Sequence, residues 1–256
     1  MAKAMLIDVS KCMACRSCQV ACKAWNDLPA ETTANRGTYE NPPALSEKTW
    51  TRVEFREVEA GGKVAWLFRK HQCMHCTRAS CVSVCPTGAA AHHGEFVLID
   101  QAQCIGCGYC VQACPFDAVH LGEPKKGTAR KCTFCLDRVT NGYAPACTKT
   151  CPPGAIQFGD RGELIATGKG RVGELRANGH PNARLYGEAE LGGLHQLYVL
   201  TDKAAALGLP EAPRVATRNV LGQWLSGFVT AGILAALPFW LVIKRRQEMA
   251  SSRGGD

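Results

Sequence analysis

The chain has 256 residues, of which 16 are cysteine, and a formal net charge of +8. This length allows one large domain or two small ones with a buried core, and the cysteine content leaves a disulfide framework, structural zinc or iron-sulfur clusters as explanations. The Lys and Arg residues form no basic stripe interleaved with aromatic side chains, so nucleic-acid binding is not expected.

The first predicted element is a short strand near the N-terminus, where Leu6-Ile7-Asp8 ends a brief apolar run. The run is too short for a secretory signal peptide, so no N-terminal signal is expected. Leu98-Ile99-Asp100 stands before Cys104 in the same register as Leu6-Ile7-Asp8 before Cys12. The match indicates an internal duplication of a strand that leads into a cysteine-rich loop.

The sixteen cysteines form four quartets. The first and third quartets share the spacing C-x2-C-x2-C-x3-C, whereas the gap before the third cysteine is wider in the second and fourth. In chain order the quartets are Cys12, Cys15, Cys18 and Cys22; Cys73, Cys76, Cys81 and Cys85; Cys104, Cys107, Cys110 and Cys114; and Cys132, Cys135, Cys147 and Cys151. Proline follows the last cysteine in three quartets and is expected to end a short helix there. We therefore predict a repeated unit of strand, loop and helix.

Two further elements are predicted around the quartets. Between the first two quartets, residues 50–58 and 63–69 are rich in β-prone residues and are joined by Ala60-Gly61-Gly62, which predicts an inserted β-hairpin. After the last quartet, a helix is predicted at residues 163–177 and a strand at 197–200. The predicted fold class is α+β, with tandem or interleaved ferredoxin-like domains in residues 1–158 and a wrapping or linking segment at 159–219.

Residues 220–243 form a run of 24 residues without a charged side chain, followed directly by Lys244-Arg245-Arg246. A helix of about 20 apolar residues can span a bilayer. A buried core helix is the alternative, but Gly222 and Gly232 suit a packed transmembrane helix better. We expect one transmembrane helix at 220–243, in contact with membrane lipid, and a basic tail at 244–256 that the positive-inside rule places in the cytoplasm.

The spacing of the cysteines favours iron-sulfur clusters over zinc. A [4Fe-4S] cube has four iron corners that each take one thiolate, and two-residue gaps let one tight loop reach three of them. Zinc ribbons instead separate two C-x2-C pairs widely. Small loop residues such as Ala14 and Gly106 let backbone N–H groups approach the sulfur atoms. If the thiolates hold four [4Fe-4S]2+ cores, the formal charge of the protein falls to about zero, so the basic excess serves mainly as counter-charge.

No catalytic residue is expected, because the sequence shows no nucleophile-base set, phosphate loop or paired carboxylates in a recognisable context. His71 and His75 flank the second quartet and could in principle replace a thiolate on iron. All sixteen ligand positions are already filled by cysteine. We therefore interpret these two histidines, with His92 and His93, as surface or packing residues.

Segments between the quartets resemble the β subunit of membrane-bound respiratory formate dehydrogenase, one of the four-cluster ferredoxin-like subunits of molybdopterin oxidoreductases. The residues that carry this resemblance are Ile7-Asp8-Val9-Ser10-Lys11-Cys12, Cys18-Gln19-Val20-Ala21-Cys22, Trp25-Asn26-Asp27, Asn41-Pro42, Leu45-Ser46, Arg69-Lys70, Cys73-Met74-His75-Cys76, Cys104-Ile105-Gly106-Cys107-Gly108-Tyr109-Cys110, Lys131-Cys132, Asp137-Arg138-Val139 and Gly192-Gly193. The likeness extends over nearly the whole chain, including the C-terminal helix. The cysteine pattern is shared by the wider group, whereas the intervening segments indicate formate dehydrogenase.

The resemblance implies four [4Fe-4S] clusters, with the first quartet paired with the fourth and the second with the third. In each pair, three cysteines of one quartet share a cluster with the last cysteine of the other. The implied ligand sets are Cys12, Cys15, Cys18 and Cys151; Cys132, Cys135, Cys147 and Cys22; Cys73, Cys76, Cys81 and Cys114; and Cys104, Cys107, Cys110 and Cys85. Nitrate-reductase relatives replace one cysteine and hold a three-iron cluster, but this sequence has no such replacement.

The function implied by the resemblance is electron transfer without a catalytic site. Electrons would pass from a molybdopterin or tungstopterin subunit that oxidises formate to a cytochrome b-type membrane subunit and quinone. The implied location is the bacterial inner membrane, with the clusters in the periplasm, because the family's β subunit is exported folded with its catalytic partner. Two alternatives stay open. The first is the same electron-transfer role in another molybdopterin complex or in a hydrogen-linked complex, and the second is a zinc-stabilised interaction module.

Overall fold

The computed structural model describes residues 2–60, 62–122, 127–218 and 220–253. The chain forms two compact units, Met1–Ala216 and Thr217–Asp256. The strands of the first unit are β1 (Lys3–Asp8), β2 (Thr51–Ala60), β3 (Lys63–Gln72), β4 (Ala90–His93), β5 (Phe96–Ile99), β6 (His120–Leu121), β7 (Ala129–Arg130), β8 (Ile156–Asp160), β9 (Arg184–Tyr186) and β10 (Gln196–Leu200). Its α-helices are α1 (Ser17–Trp25), α2 (Ser80–Ser83), α3 (Tyr109–Ala113), α4 (Leu136–Thr140), α5 (Ala146–Lys149) and α6 (Arg161–Ala177).

The largest sheet has four strands in the order β8-β1-β10-β9. β1 pairs in parallel with β10, with Leu6 opposite Leu197, and antiparallel with β8, with Leu6 opposite Gln157. β9 pairs antiparallel with β10. The strands predicted at residues 6–8 and 197–200 are therefore direct neighbours, and the segment after residue 158 completes the sheet that carries the first cysteine loop.

Both faces of this sheet are covered by apolar side chains. Side chains alternate along a strand, so Met5 and Ile7 belong to the main core while Ala4 and Leu6 belong to a second core beneath α6. All five residues of β10 are buried. The sheet is therefore an internal layer that fixes the position of the loop following β1.

Helix α6 confirms the helix predicted after the last quartet. It begins at Arg161 because the carboxylate of Asp160 caps it, accepting a hydrogen bond from the N–H of Gly162 at 2.9 Å. Its buried residues are Leu164, Gly168, Val172 and Leu175, one face at helical spacing. A Cβ atom at Gly168 would lie 2.7 Å from Cδ1 of Leu185, so the helix packs closely on the sheet only with glycine there.

Within the described residues, the first unit also contains three two-stranded antiparallel sheets. β2 pairs with β3 from Thr51 opposite Gln72 to Ala60 opposite Lys63. Gly61, part of the predicted turn between them, lies outside the described residues. β4 pairs with β5, and β6 pairs with β7. β3, β5 and β7 each end shortly before a cysteine loop, so the short strands set where three of the four loops begin.

The internal duplication indicated by the sequence is visible in the turns that follow β1 and β5. Oδ1 of Asp8 accepts a hydrogen bond from the N–H of Ser10 at 3.0 Å, and Oδ1 of Asp100 accepts one from the N–H of Ala102 at 2.8 Å. An aspartate that bonds the backbone two residues on forms a tight turn. The same turn therefore leads into the first and third cysteine loops.

The described residues of the second unit form one long helix, α7 (Val220–Arg253). Its segment Trp224–Gln247 has 24 residues with a mean hydropathy of 1.9, long and apolar enough to cross a membrane. The single apolar C-terminal helix predicted from the sequence is confirmed, and it continues beyond residue 243 because Lys, Arg and Gln are good helix formers. Large side chains such as Phe239 and Trp240 are exposed along it.

Candidate iron-sulfur centres

All sixteen cysteines are free thiols in this chain. Cys15 and Cys107 are exposed to solvent, and the other cysteines are buried or partly buried. The disulfide framework that the composition left open is therefore not formed. The thiols lie in the four loops and four short helices predicted from their spacing.

The four C-x2-C loops share one backbone feature. In each loop the residue two positions after the first cysteine has a positive φ, which is 54° at Ala14, 46° at His75, 67° at Gly106 and 59° at Phe134. A left-handed residue in a tight loop turns successive N–H groups toward one side, and such nests bind anions and iron-sulfur clusters. The loops thus combine thiolates with N–H donors, which fits an anionic cluster.

Two of these four positions carry large side chains, in contrast to the small loop residues Ala14 and Gly106 noted in the sequence. His75 and Phe134 are large, and their rings lie 5.1 Å apart between centroids in an edge-to-face arrangement within the core. Phe96 stacks on Phe134 with centroids 4.0 Å apart. The loop therefore constrains the φ of the backbone, while a large side chain is accepted where the core can bury it.

Backbone N–H groups donate to several thiols. The N–H of His75 lies 3.5 Å from Sγ of Cys73, and the N–H of Phe134 lies 3.3 Å from Sγ of Cys132. Two strand residues also donate to thiols, since the N–H of Ala129 in β7 lies 3.3 Å from Sγ of Cys104 and the N–H of Ala90 in β4 lies 3.4 Å from Sγ of Cys85. Because such bonds favour the thiolate over the thiol, the loops are suited to negatively charged sulfur.

The helices that carry the later cysteines pack in two pairs, α1 against α5 and α2 against α3. Each of these helices contains the third cysteine of a quartet. The strands agree with this arrangement, since β1 pairs with β8 and β4 pairs with β5. The first quartet therefore lies beside the fourth, and the second quartet lies beside the third.

Electrostatic interactions between thiols link the first and fourth quartets. Burial raises the pKa of Cys12, and the thiolates of Cys151 and Cys15 raise it further. Burial likewise raises the pKa of Cys135 to about 12, with further contributions from Cys147 and Cys22. In both cases the pKa of a cysteine in one quartet is raised by a cysteine in the other.

The second and third quartets are linked in the same way. Burial raises the pKa of Cys76 well above its ordinary value, and Cys73, Cys114 and Cys81 add to the effect. For Cys110, burial and then the thiolates of Cys104 and Cys107 raise the pKa to about 11, and Cys85 also contributes.

Cys132 of the fourth quartet and Cys73 of the second link the two pairs of quartets. After burial, Cys22 has the largest effect among the thiolates that raise the pKa of Cys132, and Cys73 also contributes. Burial raises the pKa of Cys81 to about 12, and Cys110 is among the thiolates that add to it. Electrostatic interactions between cysteines therefore connect all four quartets.

The histidines beside the second quartet have structural partners. Nδ1 of His71 lies 3.0 Å from Oε1 of Glu54, and its Nε2 donates to the carbonyl oxygen of Phe116 at 2.7 Å. His75 is buried and its Nδ1 accepts a hydrogen bond from the N–H of Val97 at 3.2 Å. Their interpretation as packing residues agrees with these contacts, and His92 and His93 are exposed.

Two buried cations, Lys70 and Lys131, were assigned no role from the sequence. Lys70 is 1% exposed and Lys131 is 4% exposed. The thiolates of Cys147, Cys18 and Cys132 outweigh the opposing effect of burial and raise the pKa of Lys70. In the sequence, both lysines stand shortly before the first cysteine of a quartet and within segments that carry the resemblance, but neither signal distinguishes a buried lysine from a surface one.

Comparison with known proteins agrees with this site. Two family models described as 4Fe-4S dicluster domain match the chain, one over residues 11–89 and the other over residues 64–161. The formate dehydrogenase-O iron-sulfur subunit of Escherichia coli K12 is 46% identical over 217 residues, which cover 83% of this chain and 72% of the relative. The nitrate-inducible formate dehydrogenase iron-sulfur subunit of the same organism is 42% identical over 238 residues, which cover 91% and 81%.

A further relative is named as a subunit of thiosulfate reductase rather than of formate dehydrogenase. The thiosulfate reductase electron transfer subunit PhsB of Salmonella typhi is 40% identical over 157 residues, which cover 60% of this chain and 74% of the relative.

The loops, the free thiols and the two dicluster matches define an electron-transfer protein that carries four [4Fe-4S] clusters. When bound, the clusters supply one-electron redox chemistry. The chain belongs to the family of formate dehydrogenase iron-sulfur subunits. The resemblance and the cofactor inferred from the sequence are confirmed, and the matches give no support to a zinc-stabilised module.

Proposed function

We propose that this chain conducts electrons from a formate-oxidising molybdopterin or tungstopterin subunit to a cytochrome b-type membrane subunit and quinone. The observation that carries the proposal is the continuous series of interacting thiols, which reaches solvent at Cys15 and at Cys107. A chain of closely spaced redox centres with two accessible ends is the arrangement that conduction between two partners requires. The names of the relatives supply formate as the electron source.

The proposed ligand sets follow the crossed pairing of quartets. Site A is Cys12, Cys15, Cys18 and Cys151; site B is Cys22, Cys132, Cys135 and Cys147; site C is Cys73, Cys76, Cys81 and Cys114; and site D is Cys85, Cys104, Cys107 and Cys110. The packing of α1 on α5 and of α2 on α3 supports these sets. So do the interactions between thiols within each set.

The interactions between sets suggest the order A, B, C, D along the path. Cys18 of site A and Cys147 of site B interact, as do Cys132 of site B and Cys73 of site C. Cys81 of site C interacts with Cys110 of site D. Sites A and D, which contain the two exposed cysteines, are then the ends at which partners exchange electrons.

We further propose how the chain is divided and placed. Residues 1–158 form interleaved ferredoxin-like halves with β2 and β3 as an inserted hairpin, 159–219 wrap the cluster region, 220–243 span the bacterial inner membrane and 244–256 form a basic tail. Lys244, Arg245 and Arg246 support a cytoplasmic C-terminus, which places the clusters in the periplasm. The exposed apolar surface of α7 supports contact with lipid and with the cytochrome subunit.

A second candidate keeps the electron path and changes the substrate. The similarity to a thiosulfate reductase subunit favours considering another molybdopterin complex, and a hydrogen-linked complex would need the same conductor. Only the catalytic partner differs between these cases.

The test is purification of the detergent-solubilised complex, identification of its subunits by mass spectrometry, and assay of quinone reduction. We expect a large pterin-binding subunit, a small haem-binding membrane subunit, and quinone reduction that depends on formate. Quinone reduction by hydrogen, or oxidation of quinol by thiosulfate, with no response to formate would favour the second candidate. A complex without a pterin subunit would contradict the first candidate, and a complex without any catalytic redox subunit would contradict both.

A further inference from the structure

Lys70 lies on β3, three residues before the first cysteine of the second quartet. Side chains on a strand alternate between its two faces. Arg69 and His71 face Glu54, with Nη2 of Arg69 2.6 Å and Nδ1 of His71 3.0 Å from the carboxylate oxygens. Lys70 therefore projects from the opposite face of the strand, away from this carboxylate.

The ammonium group of Lys70 is buried without an acceptor in the part of the chain that the structure describes. The residue is 1% exposed, and among the described residues Nζ has no hydrogen-bond partner. Gln72 lies on the same face, is fully buried, and its Nε2 is also unpartnered among those residues. Because an unpaired buried charge is strongly unfavourable, the groups that Lys70 faces must be negatively charged.

The groups that stabilise the Lys70 charge are thiolates of two different sites. The charges that act most strongly on the buried ammonium are those of Cys147, Cys18 and Cys132, which are thiolates when they hold iron. Cys18 belongs to proposed site A, whereas Cys147 and Cys132 belong to site B. The charge of Lys70 also acts on Cys12 and Cys22, one from each site.

We propose that the ammonium of Lys70 is the shared counter-charge of sites A and B and raises the reduction potentials of both clusters, an inference that rests on the ligand sets of the proposed function. On reduction each cluster gains one electron from the donor subunit, and no covalent bond forms or breaks. A fixed positive charge nearby stabilises the state that carries the additional electron, and net charge and hydrogen bonds near the sulfurs set the potential of such clusters.

Lys131 provides a contrast within the same chain. Its Nζ donates to the carbonyl oxygen of Cys132 at 3.2 Å and to that of Val97. Burial disfavours its charge, and the charges that favour it are those of Cys73 and Cys81 in proposed site C, followed by Cys132 in site B. Removal of Lys131 should therefore affect the potentials of sites C and B, whereas removal of Lys70 affects those of sites A and B.

The test is a redox titration of the purified complex followed by electron paramagnetic resonance, after iron and sulfide have been determined in each preparation. Lys70→Met removes the charge at similar length, Lys70→Arg keeps it, and Lys131→Met removes the contrasting charge. Lys203→Met removes an exposed lysine as a matched control. If Lys70→Met does not load iron, Lys70→Gln takes its place.

We expect Lys70→Met to lower the equilibrium constant for reduction at least tenfold at two clusters, a shift of about 59 mV for a one-electron couple. Lys70→Arg and Lys203→Met keep the wild-type reduction potentials, and Lys131→Met shifts the potentials of a different pair of clusters. If neutral variants lose sites A and B while Lys70→Arg keeps them, the proposal also stands.

The inference is overturned if Lys70→Met carries four clusters with unchanged potentials, or if all three Lys70 variants lose iron from every site, which would indicate a purely structural role. Wild-type protein with fewer than four clusters would instead contradict the proposed function, whatever its potentials. The two failures are therefore distinguishable by the iron analysis.

Discussion

The hydroxyl of Tyr198 donates a hydrogen bond to the carbonyl oxygen of Lys70 over 2.6 Å. Both residues are buried, and they join β10 in the main sheet to β3 in the two-stranded sheet of β2 and β3. Burial raises the pKa of Tyr198 to about 12, so the hydroxyl keeps its proton at neutral pH and can act as donor. This bond fixes the end of the strand that leads into the second cysteine loop.

Tyr198→Phe should destabilise the protein. The substitution keeps the ring but leaves the buried carbonyl of Lys70 without this donor, at a cost of about 1 to 3 kcal/mol. Tyr143→Phe, at an exposed tyrosine, is the control and should have little effect. The rate of iron loss on heating measures the difference, and equal rates for the two variants would show that the bond contributes nothing.

The crossed ligand sets predict which variants lose the same cluster. Cys22→Ser should lose the paramagnetic signal that Cys135→Ser loses, because both belong to proposed site B. Cys151→Ser should share its loss with Cys15→Ser in site A. If Cys22→Ser instead loses the signal that Cys15→Ser loses, the quartets are not crossed.

The left-handed loop positions predict opposite outcomes for a reciprocal pair of substitutions. Gly106→Ala should reduce iron binding in the third loop, because φ is +67° and a Cβ atom would lie 2.6 Å from the carbonyl oxygen of Gly127. Ala14→Gly, at the matching position of the first loop, should leave iron content unchanged, since glycine adopts positive φ without strain. Iron per chain after anaerobic purification measures both. Equal iron content in the two variants would contradict the argument.

Iron binding should weaken as the pH falls. Burial raises the pKa of Cys18, Cys81 and Cys135 to about 12, so in the metal-free chain these thiols are protonated at any pH below that value. Each must release a proton on binding iron, which lowers the apparent affinity about tenfold per pH unit for each proton released. Iron retention against a competing chelator between about pH 6 and about pH 9 measures the slope. A retention that is independent of pH would contradict these shifts.

The sequence predicted the local elements of the cluster region well. The matched strands before Cys12 and Cys104, the helix after the last quartet and the strand at residues 197–200 are all present as β1, β5, α6 and β10. These elements depend on periodicity and on short-range signals such as the Asp160 cap, which a single sequence contains.

Other features depend on contacts between distant segments and could not be predicted. The parallel pairing of β1 with β10 joins the two ends of the first unit, and no local pattern encodes it. Positive φ at His75 and Phe134 runs against the preference of these residues and is held by their packing together in the core. Lys70 is buried because its face of β3 points into the protein, and the sequence alone does not show which face that is.

Iron and acid-labile sulfide analysis of the anaerobically purified protein tests the central claim most directly. Four [4Fe-4S] clusters on sixteen cysteines predict about sixteen iron and about sixteen sulfide ions per chain, with no zinc. Protein that contains zinc in place of iron, or that lacks sulfide, would contradict the account.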